Sequence, residues 1–189
     1  RSREESFPVK LTSKMRMVAR DCAVNDEQAH YLAGYRQALE TYTAARAAEV
    51  RRPEDVGQLE EVLDSMRLYT QALLGDSDDE KARIGLDEAD LRFHCLLFAM
   101  ARNPFVRDRF ERAHLLQRII GISFHHLHPS PEAGKKNLRA VMEEHVRIFE
   151  AIREEDAEGA RRAMEVHMVN FAAKLDMVHR AKANLRAQG

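Results

Sequence analysis

The sequence has few glycines, prolines and cysteines, no long apolar run and almost no net charge. Its 189 residues include 8 glycines and 5 prolines, which leaves little room for the many turns of an all-β fold. The only cysteines are Cys22 and Cys95. A pair so widely separated cannot form the disulfide framework of a small secreted domain, so we expect the reducing environment of the cytoplasm.

The lack of a long apolar run disfavours membrane insertion, and the lack of net positive charge disfavours direct binding to nucleic acid. The longest uncharged apolar run, Cys95 to Ala101, is far shorter than the ~20 residues needed to cross a bilayer, and the basic N-terminus lacks the apolar segment of an export signal. The formal net charge is -1, whereas binding to phosphates requires a basic surplus on some face. We therefore expect no membrane contact.

The remaining pattern is helical. From about Asp26 onward the sequence shows six segments with helical spacing of apolar residues, and no stretch alternates with period two. The length fits one core, so we predict an all-α bundle over residues 26–189, with residues 1–25 as an arm or interdomain linker. The predicted helices run from Asp26 to about Arg51, Glu54 to about Leu74, about Leu86 to Arg102, Pro104 to Ile122, Lys136 to Glu154, and from an N-cap at Asp156 to about Ala183.

The same pattern contains two further breaks between helices and an apolar stripe along the first helix. Gly75 and the acidic run Asp76 to Glu80 are interpreted as a break, although a helix could resume within it before Gly85, and Phe124 to Gly134 is predicted to be a loop. In the first helix the apolar residues at helical spacing are Tyr31, Tyr35, Leu39 and Tyr42.

Histidine and aspartate interrupt three of the apolar stripes. His145 lies midway along the stripe of the fifth helix, and His167 lies within that of the sixth. Asp90 and His94 fall on or beside the buried face of the third helix, one turn apart. Unpaired buried polar groups cost about 1 to 3 kcal/mol each, so these four side chains require partners.

A divalent cation would be one common partner for the four. Three imidazoles and one carboxylate suit Zn, Ni, Mn or Fe(II), with positions left for water or a bidentate ligand. Taken singly, each buried histidine is more often a core residue bonded to a carbonyl or carboxylate.

Three segments of the chain contain a distinctive set of motifs: Tyr35–Met66, Asp87–Val106 and Glu143–Phe171. The motifs are R-x-x-L-E (Arg36 to Glu40), an Asp-x-x-x-His pair (Asp90 and His94) followed by Asn-Pro, and two later histidines 22 residues apart. In this order, the segments resemble the C-terminal effector domain of FadR-type regulators in the GntR family.

The resemblance implies a bundle of six or seven antiparallel helices around a central metal and ligand cavity, in a homodimeric cytoplasmic regulator. It also implies that a small carboxylate effector binds at or beside the metal, and that Arg36 faces that pocket, where a guanidinium pairs bidentately with a carboxylate. Periodicity alone leaves Arg36 equally open to an ion pair with Glu40 one turn away. The metal ligands implied are Asp90, His94, His145 and His167.

Members of that family read DNA through a winged helix-turn-helix domain. Residues 1–25 show no such pattern, so DNA binding would require a domain that is not present in this chain.

The roles of the other histidines, and one alternative class of function, remain to be considered. His125, His126 and His128 lie beside prolines, where they favour an exposed or pocket-rimming loop over a second metal site. His114 and His179 are further candidates for the pocket wall. The alternative function is a metal-dependent enzyme acting on a small carboxylate. No sequence motif for a nucleophile or general base accompanies the histidines, so we expect a regulatory domain and not an enzyme.

Overall fold

The structure, a computed structural model, describes residues 26–106 and 130–187. The predicted arm at residues 1–25 and most of the fourth predicted helix lie outside the described residues, as do His114, His125, His126 and His128. The described part of the chain contains helices and no strand. This confirms the predicted all-α class.

Five helices are described, and residues 104–106 are also helical. Among the described residues, no helix combines the length and the apolar character that a bilayer crossing requires. The helices are α1 (Asp26–Val50), α2 (Pro53–Gly75), α3 (Glu80–Met100), α4 (Pro131–Arg153) and α5 (Ala157–Ala187).

Side-chain caps define the starts of three of these helices. Asp79 accepts a hydrogen bond from the first turn of α3 at 2.9 Å, Ser130 does the same for α4 at 3.2 Å, and Asp156 for α5 at 2.8 Å. Each cap satisfies a backbone N–H that has no partner within its helix. The N-cap predicted at Asp156 is confirmed.

The break predicted at Gly75 and the acidic run is confirmed, because α2 ends at Gly75 and α3 begins at Glu80. Helix α3 thus starts within the acidic run, the option that the sequence left open, and not near Leu86, so Gly85 lies inside it. The ring of Tyr69 packs so closely over Gly85 that an added Cβ would lie 2.5 Å from it. Helix α4 begins at Pro131, within the predicted loop, since proline suits the first position of a helix and Ser130 caps it.

The core lies between α2, α3, α4 and α5, and α1 closes one side. Helix α1 packs mainly along α5, α2 along α3, and α4 along both α5 and α2. Fully buried side chains at the centre include Leu59, Leu63, Met66, Phe93, Leu97, Ile148, Ile152, Met164 and Met168.

The buried face of α1 differs from its apolar stripe. Tyr31, Tyr35 and Tyr42 are exposed, whereas Arg36 and Glu40 are 2% and 1% exposed. Small residues on the same side, such as Ala44 and Ala47, are completely buried. They allow close packing of α1, and its polar residues consequently face the interior.

Candidate metal centre

Three histidines from three different helices meet inside the bundle. His94 on α3, His145 on α4 and His167 on α5 are all buried, and one ligand atom from each lies within 4.8 Å of the other two. Their ring centroids are separated by 4.6 to 5.6 Å. The structure therefore brings together the three histidines that the sequence analysis singled out.

Asp90 lies at the edge of this histidine cluster, one turn before His94. Its Oδ1 atom is 3.1 Å from Nε2 of His145 and 3.9 Å from Nε2 of His94. The surrounding protein disfavours the ionised form, but the interaction with His145 and the charges of the three histidines outweigh this effect and hold the pKa of Asp90 well below its usual value. Asp90 is thus an ionised carboxylate facing the histidines.

The Nδ1 atom of each histidine lies close to an oxygen outside the cluster. Nδ1 of His145 donates a hydrogen bond to the carbonyl of Val141 at 2.8 Å, and Nδ1 of His167 donates one to Glu144 at 2.8 Å, so the lone pair of either ring in its neutral form is on Nε2. Nδ1 of His94 lies 2.5 Å from Oε2 of Glu40.

Glu40 also binds the arginine that precedes it by one turn. Nε of Arg36 lies 2.5 Å from Oε1 of Glu40, and the guanidinium stacks over the ring of Phe171 at 5.3 Å. The ion pair with Glu40, which periodicity had left open, is present and buried. Arg36 contacts Glu40, and Glu40 in turn contacts His94, so Arg36 lies beside the histidine cluster.

Glu144 is the carboxylate that contacts His167. It accepts hydrogen bonds from Nδ1 of His167 at 2.8 Å and from Nδ2 of Asn170 at 2.7 Å. Burial tends to raise its pKa, but His167, Asn170 and the positive charge of Lys174 lower it below the usual value. Glu144 is therefore a carboxylate that fixes the ring of His167.

The environments of two histidines shift their pKa values in opposite directions. Burial opposes the protonation of His145, yet Asp90, the Val141 carbonyl and Glu144 together raise its pKa. Burial and the nearby His145 lower the pKa of His167 to about 4, although Glu144 acts in the opposite sense. His167 is therefore neutral near pH 7, as a metal ligand must be.

The donor set fits a divalent transition metal. Three imidazoles whose outer nitrogens are held by carboxylates or a carbonyl, together with one ionised carboxylate, are typical of Zn, Ni, Mn or Fe(II) sites. The cluster lies on three packed helices, so its side chains are positioned by the core itself.

Sequence reasoning missed several residues around the cluster. Glu40 was considered only as a partner of Arg36, and Glu144, Asn170 and Lys174 were not considered. Glu144 lies one turn before the buried Ile148, which is a signal that it shares the inward face of α4. His179 is on α5, but its side chain is not among those described.

Comparisons with known proteins identify relatives of this chain. Residues 32–170 match the family model of the FCD domain. The chain is 28% identical over 128 residues to the galactonate operon transcriptional repressor of Escherichia coli (strain K12), an alignment that covers 68% of this chain and 49% of the repressor. It thus spans about half the length of that curated relative.

Two solved structures share the fold. The Escherichia coli protein McbR/YncC matches with a TM-score of 0.67 at 18% identity, covering 82% of this chain and 68% of that one. A GntR protein of Streptococcus agalactiae matches with a TM-score of 0.59 at 19% identity, covering 92% of this chain and 73% of the other. Both likenesses support the helical architecture described above.

Proposed function

The chain belongs to the FCD domain family, and on that premise we propose that it senses a small organic acid through a divalent metal in the histidine cluster. The family supplies the effector-binding domains of GntR-type transcriptional regulators, so the chain is a regulatory domain and not an enzyme. The proposed metal ligands are Asp90, His94, His145 and His167.

The observation that carries the metal proposal is the shared orientation of the three rings. An oxygen lies within 2.8 Å of Nδ1 in His94, His145 and His167, so Nε2 of each ring points away from that oxygen. Histidines that serve only as core hydrogen-bonding residues need no such common orientation. Outer acceptors on Nδ1 are the usual companions of histidines that bind metals through Nε2.

A bound divalent ion would supply Lewis-acid attraction for a carboxylate oxygen of the effector. The chain's own residues would do the rest: Asp90 and the imidazoles hold the ion, while Arg36 provides a buried cation beside them. A planar guanidinium binds a carboxylate bidentately. Arg36 is already oriented by Glu40 and Phe171, which limits the side-chain entropy lost when the effector binds.

The class of effector is supported by the related repressor. That protein is named for the galactonate operon, and galactonate is a sugar acid with one carboxylate and several hydroxyl groups. We propose a small carboxylate of this general kind for the present chain.

The regulatory setting is a further part of the proposal. Because the chain spans about half of its curated relative, we assign DNA binding to a separate winged helix-turn-helix domain, and residues 1–25 to an arm or linker that precedes the effector domain at 26–189. We further propose that the regulator is a cytoplasmic homodimer. Effector binding would then alter DNA affinity through a coupling free energy of about 1 to 3 kcal/mol.

Calorimetry tests the proposal directly. Galactonate, lactate, succinate and citrate are titrated into metal-loaded and metal-stripped protein. We expect at least one acid to bind the loaded form only, and to bind more weakly to Arg36→Ala. The matched control is Arg46→Ala, which removes an exposed arginine from the same helix. Equal affinity in the loaded and stripped forms rules the metal out as the effector's anchor.

A further inference from the structure

Lys174 lies on the helix that carries His167, and among the described residues it has no direct ionic partner. It follows His167 by seven residues and Asn170 by four on α5, so the three side chains share one face of that helix. Lys174 is partly buried. Within the described part of the chain it forms no ion pair, although its charge acts on both Glu144 and Asp90.

The other charged side chains near the cluster already take part in ion pairs or hydrogen bonds. Arg36 and Glu40 neutralise each other at 2.5 Å. Glu144 accepts hydrogen bonds from His167 and Asn170, and Asp90 faces the histidines. Lys174 therefore differs from Arg36, because no carboxylate of the described residues holds its ammonium group in direct contact.

Partial burial destabilises the charged form of Lys174, and a bound ligand would offset this loss of hydration. Burial lowers the pKa of Lys174, while the attraction of Glu144 and Asp90 opposes that shift. An ammonium group that loses water without gaining a partner is destabilised, and the nearest described carboxylates act on it only through space. An oxygen of a ligand bound at the cluster would supply the missing contact.

The total charge favours an anionic ligand once a metal is present. Glu40, Glu144 and Asp90 carry three negative charges, and Arg36 and Lys174 carry two positive charges. With neutral imidazoles, the set therefore has one excess negative charge, and a divalent ion changes it to one excess positive charge. Without Lys174 the loaded set would be neutral.

We propose that Lys174 is a second anchor for the effector, which binds an oxygen-bearing group other than the carboxylate at the metal. The effector is then a hydroxy acid or a dicarboxylic acid, and not a simple monocarboxylic acid such as acetate. Lysine suits this task because its ammonium group is a point charge with three hydrogen-bond donors and can meet either a hydroxyl or a carboxylate oxygen. The inference rests on the proposed function and adds the substrate class to it.

The test is Lys174→Met, which keeps the length of the side chain and removes its charge. Cobalt(II) affinity is measured by competition with a chelator, and galactonate, succinate and acetate are then titrated into the cobalt-loaded protein. The matched control is Lys81→Met, which removes an exposed lysine at the start of α3, about 20 Å along that helix from His94.

The expected changes have opposite signs. Loss of a neighbouring positive charge tightens cobalt binding by about threefold or more. Loss of a charge-assisted hydrogen bond weakens galactonate or succinate binding by about 10- to 100-fold, and acetate binding by clearly less. Damage to the fold would weaken the metal and the acids together, so that pattern contradicts the proposal. Unchanged cobalt affinity also overturns it, because Lys174 would then not face the cluster.

The acid titrations separate this inference from the proposed function. If the wild-type protein binds galactonate or succinate and Lys174→Met binds it equally well, only the anchor role of Lys174 is overturned. An equal loss for acetate and for the larger acids also overturns that role, because it indicates a general field effect. If the loaded wild-type protein binds no acid at all, the proposed function fails, and the role of Lys174 fails with it.

Discussion

Oε2 of Glu40 lies 2.5 Å from Nδ1 of His94, and both side chains are 1% exposed. This contact joins α1 to the histidine cluster. Since the other oxygen of Glu40 binds Arg36, one buried carboxylate orients both a proposed metal ligand and a proposed effector anchor. The same carboxylate must also be neutralised by these neighbours, because an unpaired buried charge would be strongly destabilising.

Replacing Glu40 with glutamine should weaken metal binding. The amide keeps the size of the side chain, but it loses the negative charge and presents an NH2 group to one of two hydrogen-bond donors. Substitution of an outer partner of a metal-binding histidine typically reduces metal affinity about 10- to 100-fold. Chelator competition measures the change, with Glu49→Gln, an exposed glutamate of the same helix, as control. Wild-type affinity in Glu40→Gln would contradict the role assigned to this contact.

Metal loading should raise thermal stability through the histidine cluster. A ligand at about 100 times its Kd stabilises the folded state by about 2.7 kcal/mol, so chelation should lower the Tm measured by calorimetry. His145→Ala and His167→Ala should both lose this response, whereas His30→Ala, an exposed histidine on α1, should keep it. Stoichiometric metal in the first two variants would show that the ligands are wrongly assigned.

Alanine at Gly85 should destabilise the protein, because the new methyl group would overlap the ring of Tyr69 and displacing that ring costs about 1 to 3 kcal/mol, more than alanine gains as the better helix former. Alanine at Gly57 meets no atom within 4 Å and should stabilise α2 by about 0.5 to 1 kcal/mol, since alanine is the better helix former. Urea unfolding measures both values. In a Tyr69→Ala background the loss at Gly85 should disappear, and its persistence there would identify a different cause.

The purified chain should be a homodimer. Regulators that bind two DNA half-sites are usually symmetric dimers, and α5 presents exposed apolar side chains, including Val166, Val169 and Met177. Light scattering at micromolar concentration measures the mass. A monomer under those conditions removes the prediction.

The sequence by itself determined the helices and the inward direction of the histidines. Both depend on local periodicity, because a residue three or four positions from a buried neighbour shares its face of a helix. His145 and His167 could be assigned to buried stripes for this reason. The start of α3 was placed too late, since Gly85 resembles a helix breaker until Tyr69, from a different helix, is seen to pack over it.

Only the tertiary structure decided which face of α1 is buried and which groups hold the histidines. The tyrosines of α1 looked like a core stripe, yet close packing through small residues turned Arg36 and Glu40 inward. Glu40 is separated from His94 by more than fifty residues of sequence, and Glu144 meets His167 on a neighbouring helix. Periodicity specifies the direction of a side chain about its own helix axis, whereas its contacts depend on how separate helices pack, and no local pattern encodes that packing.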